Sequence, residues 1–569
     1  MLHDEAYNIA YNRTKSVTPD DVTTSRVRYI RKQIEAKGTT LHSEGDRLDS
    51  AEQLKLHHVT PSKVHSIWKE VKSLTVELRT SRENDIPRLR PLSESQGLVY
   101  RNHSVTLLNA FPEKVDFVRA SGVEEITPYG LVMYVRNFTD WDLIGARIRG
   151  EDPVPLLDAI RYGYQACRAL LSDVETQRLL QMGSGKFELI IMDGAYPECA
   201  LGLAHHFNVP FMYINTVGFY TQSLSLAGNP VPYSVSPFFA YPFSDSMGLV
   251  QRLQNAALHV RWFLNSILRT YIHPNTPSAY EISKNVSFIL QNGHSSMTYP
   301  RPYLPNVAEV ACIHCRNAKT LPKHLEEFIQ RPGSQGFIYV SMGSSVQTAN
   351  TPIYLRKMLI SVFGKLPYQV LWKWDDAISD EVLPSNVLQS RWFPQQDLLG
   401  HKKIRGFITH GGLLSLFETI FHGVPVIVLP VFCDHDANAE KAVRDGYAYR
   451  LELRTLTEAK LLTAINTIIS NPRFLNQAQR RSQLLRDQSE SPMEKAIFWT
   501  EYVLRHRGAY HLQSPAKDMS VIQYYSIDVL FLTLGLIYFL VFIVNKIRQI
   551  TSRLQNSFSY KMLLKLKIN

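Results

Sequence analysis

The stretch from 404 to 429 constrains this chain more than any other. Ile404–Thr409 is a mostly apolar run that stops at His410-Gly411-Gly412. A helix-like segment, Leu413–His422, follows, and a second apolar run occupies 424–429. Short apolar runs bounded by glycine read as buried strands, and the segment between them as a helix. The unit is therefore strand, glycine turn, helix, strand. Two glycines let the backbone come close to a bound group, and the free N–H groups of a helix start favour an anion. A diphosphate is the natural guest. Glu418 lies on the helix and Asp434-His435 beyond the second strand. A carboxylate there can accept a ribose hydroxyl, and a polar pair can hold a sugar.

The alternation extends well beyond this unit. A helix, a turn at 101–103 and a strand at 104–108 follow Pro91. From there to about residue 303, apolar runs alternate with amphipathic ones; the clearest are 187–192 (FELIIM), ending at Asp193-Gly194, and 209–214. A second set runs from Phe337 to about Asp487. Such alternation predicts parallel, doubly wound sheets. Between the two sets, 299–321 is rich in proline and reads as a linker, and 490–506 offers a last amphipathic helix. Residues 1–90 are polar throughout. A helix at 64–78 is compatible with them, but nothing there resembles a buried strand, and the segment is expected to be poorly ordered or only locally helical.

The order of parts from 391 to 441, RWFPQQ, then THGG, then the helix, then FCDHDAN, resembles the signature of the membrane-anchored animal UDP-glycosyltransferases, the UDP-glucuronosyl and UDP-glucosyl transferases. KFELIIMDGAYPECALGLAHHFNVPFMYI, SMTYPRPYLPNVAEVACIH and FIYVSMGSS are similar to further parts of that family. The resemblance implies a GT-B fold: two Rossmann-like doubly wound α/β domains facing a cleft, plus a C-terminal transmembrane helix. The boundaries it implies are a non-native or disordered segment at 1–90, an acceptor-binding domain lacking its first strand at 91–303, a linker at 304–330 and a UDP-sugar donor domain at 331–487. A C-terminal helix and juxtamembrane segment (488–523), the membrane span (524–544) and a basic cytosolic tail (545–569) complete the chain.

The resemblance also assigns residues. Trp392 and Gln395 match the uracil contacts, Ser344 a phosphate contact, and His410 and Gly412 the diphosphate clamp, with Ser415 beside them. Glu418 matches the ribose carboxylate, and Asp434 and His435 the pair on the transferred sugar. The family usually carries Asp-Gln at the last two positions, so Asp-His leaves the sugar, glucose or glucuronic acid, undecided. Asp193 matches a carboxylate that orients a catalytic histidine. That histidine belongs in a Gly-Ser-His-like loop just before PLSES, and this chain has TSRENDIPRLR there. No histidine is carried over. The implied reaction inverts the anomeric centre, uses UDP-glucose or UDP-glucuronate as co-substrate, needs no metal or resident cofactor, and takes small lipophilic acceptors. The alternative is a relative that binds UDP-sugar but has lost the base. The resemblance leaves room for a homo-oligomer.

Residues 524–544 form an apolar run with one charge, Asp528, long enough to cross a bilayer. Lys546, Arg548, Arg553, Lys561, Lys565 and Lys567 follow it without an acidic residue, which places the tail in the cytosol and the body in the lumen. Lys565-Leu566-Lys567-Ile568-Asn569 resembles the dilysine retrieval signal of the endoplasmic reticulum, which gives a single-pass protein of that membrane. A lumenal body calls for a signal peptide, and residues 1–21 contain no apolar core for one. The simplest common cause for a missing signal, first strand and base loop is that 1–90 stand in place of the family's own N-terminus. The net charge of +11 gathers largely in the N-terminal region and the tail, without the basic and aromatic interleaving of a nucleic-acid binder. Five cysteines in 569 residues do not make a disulfide framework, and Cys312-x-x-Cys315 lacks the second pair of a zinc site; both read as ordinary core or surface cysteines. Asn12, Asn102, Asn137 and Asn285 begin glycosylation patterns, about as many as chance supplies, and do not decide the side.

Overall fold

Two α/β sheets are expected, and two are found in the computed structural model. It describes residues 75–80, 94–110, 122–138, 141–183, 185–194, 198–218, 220–268, 277–344, 346–374 and 382–566. The rest of 1–93, including the region of the expected base loop, lies outside the described residues. Both sheets belong to one compact unit, Pro61–Asn569.

Among the described residues, the first sheet contains β1 (Thr75–Thr80), β2 (His103–Leu108), β3 (Glu124–Ile126), β4 (Ile190–Asp193), β5 (Phe211–Asn215), β6 (Phe288–Gln291) and β7 (Val307–Glu309). Their order is β3-β2-β1-β4-β5-β6-β7. All neighbours are parallel except those of β1, which is antiparallel to both β2 and β4. The expectation that 1–90 supplies no strand is thereby corrected. TVELRT alternates apolar and polar residues with period two, a strand pattern that overlaps the end of what reads as a helix at 64–78. The first domain does not lack a strand at this place; it has one running the other way. A second correction falls on the linker: β7 and the helix Lys323–Ile329 both lie within 304–330, and β7 pairs with β6.

The second sheet contains β8 (Phe337–Ser341), β9 (Gln369–Lys373), β10 (Val387–Ser390), β11 (Ile404–Thr409), β12 (Val426–Val428) and β13 (Ala448–Arg450). Its order is β10-β9-β8-β11-β12-β13, and every pairing is parallel. Such sheets are covered on both faces. Tyr339, Leu371, Phe407 and Val426 point into one apolar cluster, and Ile338, Val340, Trp372, Ile408 and Ile427 into another. Every residue of β8 and β9 is buried.

The chain then returns to the first sheet. The helix Pro492–Arg505 starts with a capping box between Ser491 and Glu494. It buries Ala496, Ile497 and Val503 against Leu98, Ile191, Met212 and Leu290. Trp499 stacks on Phe288 with ring centroids 4.5 Å apart. The last helix, Ile527–Leu566, does not stop at the end of the expected span; it continues through 40 residues. Its 527–556 portion is exposed and long and apolar enough to cross a membrane. At 1.5 Å per residue, roughly 20 residues already fill a bilayer core, so the remainder projects beyond one.

The cysteines form two disulfides, Cys167–Cys199 and Cys312–Cys315, with Cα–Cα distances of 5.2 and 4.9 Å. This corrects the reading of ordinary cysteines. The first bond ties the helix Leu156–Leu171 to the helix Glu198–Phe207, a spatial neighbour that no local pattern announces.

Candidate functional site

In a parallel sheet a crevice opens where the strand order reverses, outside the carboxyl ends of the strands. In the second sheet the reversal falls between β8 and β11, with β9 and β10 on one side and β12 and β13 on the other. Leaving β8, the chain turns at Gly343 and Ser344; leaving β11, it enters His410-Gly411-Gly412. The two turns touch. Gly343 has φ +73° and lies against the His410 imidazole, where a Cβ would overlap the ring. Glycine is required there by both conformation and space. Gly412 caps the helix Leu413–His422 with no side-chain hydrogen bond, so the first N–H groups of that helix are available to a ligand.

His410 is fully buried, with Nδ1 3.2 Å from Thr409 Oγ1. Its ring meets that of His435 edge to face, centroids 4.5 Å apart. His435 opens the helix His435–Arg444 beyond β12. The backbone N–H of Phe432 donates to His435 Nδ1 at 3.3 Å, which leaves the ring proton on Nε2. Asn438 Nδ2 donates to Asp434 Oδ2 at 2.8 Å and to the Gly411 carbonyl at 2.9 Å. That one amide joins the Asp434-His435 corner to the glycine turn.

A second group forms beside the first. Gln395 starts the helix Gln395–Leu399 after β10, and its Nε2 donates to Glu418 Oε2 at 2.6 Å and to Ser415 Oγ at 3.2 Å. Ser415 and Glu418 are three apart and so share a helix face. His314 Nε2 lies 3.6 Å from Glu418 Oε1. Trp392, in the turn after β10, is 56% exposed and presents a wide apolar face at the rim.

Ser344, Gln395, His410, Gly412, Ser415, Glu418, Asp434 and His435 are thus brought to one end of one sheet, with Trp392 beside them. Asp193 is not among them. It ends β4 in the first sheet, is buried, and accepts a hydrogen bond from Thr216 Oγ1 at 2.9 Å. The two strand ends nevertheless lie on facing sides of a contact. A Cβ on Gly218, just past β5, would come within 3.0 Å of Leu413 Cδ2. Tyr220, Phe238 and Phe239 of the first half pack with Ala437 and Cys433 of the second.

Three members escaped sequence reasoning. Lys373, buried at the end of β9, donates to the Gly343 carbonyl at 2.7 Å; a lysine closing an apolar strand was its available cue. Asn438 stands four residues after Asp434, a helical spacing that signals the pair. His314 reaches Glu418 from about a hundred residues upstream and carries no local signal.

A sequence model of the family described as "UDP-glucoronosyl and UDP-glucosyl transferase" matches residues 154–559. UDP-glucosyltransferase 2 of Dactylopius coccus is 30% identical over 76% of this chain and 84% of its own length. UDP-glycosyltransferase UGT4 of the same organism is 31% identical over 80% of this chain and 91% of its own. UDP-glucuronosyltransferase 2B15 of Homo sapiens is 33% identical over 65% and 71%. Among solved structures, the glycotransferase of kitacinnamycin aligns at 18% identity and a TM-score of 0.49, over 71% of this chain and 93% of that one. With the family matched over most of the chain, and relatives of 30% identity or more over most of their own length, this protein belongs to the UDP-glucuronosyl and UDP-glucosyl transferase family and is a UDP-glycosyltransferase enzyme.

Proposed function

We propose that the chain transfers a hexose, glucose or glucuronic acid, from its UDP-sugar to small lipophilic acceptors, with inversion and without a metal. What supports the reading is the convergence of Ser344, Gln395, His410, Glu418 and Asp434-His435 at the strand-order reversal of the second sheet. Trp392 offers a stacking face for uracil and Gln395 an amide edge. Glu418 accepts the ribose hydroxyls. Ser344, His410 and the N–H groups after Gly412 take the diphosphate. Asp434 and His435 hold the sugar; with its proton on Nε2, His435 donates to a sugar oxygen, hydroxyl or carboxylate.

In the reaction the acceptor oxygen attacks the anomeric carbon from the face opposite UDP. The new C–O bond forms as the bond to the β-phosphate oxygen breaks, and UDP leaves with the electron pair. The helix N–H groups and His410 meet the negative charge that develops on the diphosphate. Asp193 orients the group that takes the acceptor's proton; no histidine is assigned to that task. Lipophilic acceptors dissolve in the bilayer, and the helix beginning at Ile527 holds the enzyme beside them. The reading also places the body in the lumen of the endoplasmic reticulum and the tail in the cytosol. Two disulfides support it, because such bonds persist in oxidising compartments.

The test is acceptor-dependent release of UDP by membranes carrying the full chain, with UDP-glucose and UDP-glucuronate offered separately against a panel of phenols and alcohols. The expected result is a β-linked product, formed equally well in the presence of EDTA. Absence of UDP release with every donor and acceptor, together with failure to bind UDP, overturns the reading.

A further inference from the structure

The helix Leu143–Arg149 belongs by sequence to the first half, between the helices Tyr129–Phe138 and Leu156–Leu171. By packing it belongs to the second. Leu143 and Ile144 are buried in the cluster that contains Ile427, Leu429, Leu451 and Leu453. Its ends are well defined. Asp142 Oδ1 caps the start by accepting the Gly145 N–H at 2.8 Å, and Gly150 closes the end with φ +79°. Trp141, just before it, meets Tyr162 edge to face at 5.9 Å, which ties the helix back to the first half. The segment is an arm that reaches from one half into the core of the other.

At the end of that arm, Arg147 makes a double fork. Nη1 and Nη2 donate to the two oxygens of Asp436, each at 2.8 Å. Nε and Nη2 donate to the two oxygens of Glu452, at 2.9 and 2.8 Å. Arg450 Nη2 adds a third bond to Asp436, at 2.5 Å to Oδ1. Asp436 is buried and directly follows His435, in the first turn of the helix that presents Asp434 and His435. A planar guanidinium holds both distance and angle, which a lysine ammonium does not. Asp436 is therefore fixed from both sides, and with it the start of the helix whose first residues face the sugar.

We infer that Arg147 is a positioning residue for the sugar end of the donor: it acts through Asp436 to hold Asp434 and His435 in register, from the opposite half of the molecule. The inference rests on the proposed role of Asp434 and His435. It concerns the sugar and leaves the uridine contacts of Gln395 and Glu418 untouched, because those stand on other elements. The prediction is therefore one of selectivity within a single ligand.

The experiment compares equilibrium binding of UDP with that of UDP-glucose and UDP-glucuronate to the full chain in membranes, for the unaltered protein, Arg147→Lys and Asp436→Asn. Arg147→Lys keeps the charge and most of the volume, so it guards against loss of folding. Preference for the UDP-sugar over UDP is expected to fall on the order of 10-fold in Arg147→Lys, with UDP affinity within about twofold of the unaltered chain. The double variant is expected to lose no more than the worse single one. Equal weakening of UDP and UDP-sugar marks a plain structural role and overturns the inference, as does an unchanged ratio. An unaltered chain that binds UDP but no UDP-sugar overturns it while leaving nucleotide binding intact; one that binds neither overturns the functional reading itself.

Discussion

In the second sheet every neighbouring pair of strands is parallel, and the turns leaving β8, β10, β11 and β12 all open at one end. In the first sheet the strand at the corresponding reversal, β1, runs backwards. Thr80, its last residue, lies opposite His103 at the start of β2, and Thr75, its first, opposite Leu108 at the end. The chain therefore leaves β1 at the edge away from Asp193, whereas in an all-parallel sheet the turn after that strand would open beside it. A parallel sheet collects the residues that follow its strands at one edge; a single reversed strand removes one contributor. The second half gathers eight of the expected residues, whereas the first half presents Asp193 with Thr216.

The largest expected effect separates the halves by what each controls. Asp193→Asn keeps the shape and the bond from Thr216 but removes the charge. Turnover is expected to fall about 10³-fold, the span usual for proton-transfer machinery, while UDP affinity stays within about twofold. A parallel loss of UDP affinity breaks the division, because Asp193 would then be supporting the donor crevice across the contact at Gly218 and Leu413.

Acid sensitivity tests the halves as folded bodies. Burial pushes His259, in the first half between Thr221, Ser236 and Tyr233, down to about 4, and the nearby Arg301 charge acts in the same direction. Burial also pushes His422, in the second half, down to about 4. An unfolded histidine titrates near 6.5, so between pH 6.5 and 4 the unfolded chain binds more protons than the folded one. The stabilisation is fully present above pH 6.5 and is lost as pH falls toward 4; for His259 it is on the order of 3 kcal/mol. Thermal melts of His259→Gln and His422→Gln across that range should each show a shallower pH slope than the unaltered chain. An unchanged slope in both sinks the claim that these two rings fold neutral.

How much was legible follows the same division. The unit from β11 to the helix His435–Arg444 is written in a short stretch of sequence, where glycines, apolar runs and polar corners have fixed spacing. The strand Ile404–Thr409 and the helix Leu413–His422 fall where the pattern predicts them. What escaped is held together across long separations. The Arg147 fork joins residues about 290 and 305 positions apart. Trp499 stacks on Phe288 from the last amphipathic helix before the membrane span. β1 escaped for a different reason: its direction is set by its neighbours, and a period-two pattern reads the same forwards and backwards.

Within the second half, Glu418 sharpens the assignment of one carboxylate to one sugar. Glu418→Gln is expected to weaken UDP binding by roughly 10- to 30-fold, the effect of losing a hydrogen bond to a charged group. UDP lacking the ribose hydroxyls should bind the unaltered chain about as weakly as UDP binds the variant, and the variant should no longer distinguish the two nucleotides. A variant that still discriminates assigns the hydroxyls to another residue; His314, 3.6 Å from the same carboxylate, is then the first to examine.

The smallest effect falls at the rim. Trp392 is the most exposed of the expected donor contacts, so stacking there gains little from the desolvation that strengthens buried pairs. Base–aromatic stacking is worth about 1–3 kcal/mol, and a half-exposed platform belongs at the low end, near 1 kcal/mol or about fivefold in affinity. Trp392→Phe should keep most of that and Trp392→Ala lose it, measured by titration with UDP. The same pair of variants titrated with inorganic diphosphate should show no difference from the unaltered chain, because Gly412 and His410, the expected diphosphate contacts, follow another strand, β11. A diphosphate affinity that falls with Trp392→Ala means the ring is holding the turn after β10 in place rather than meeting the base, and the crevice then depends on its rim as much as on its glycines.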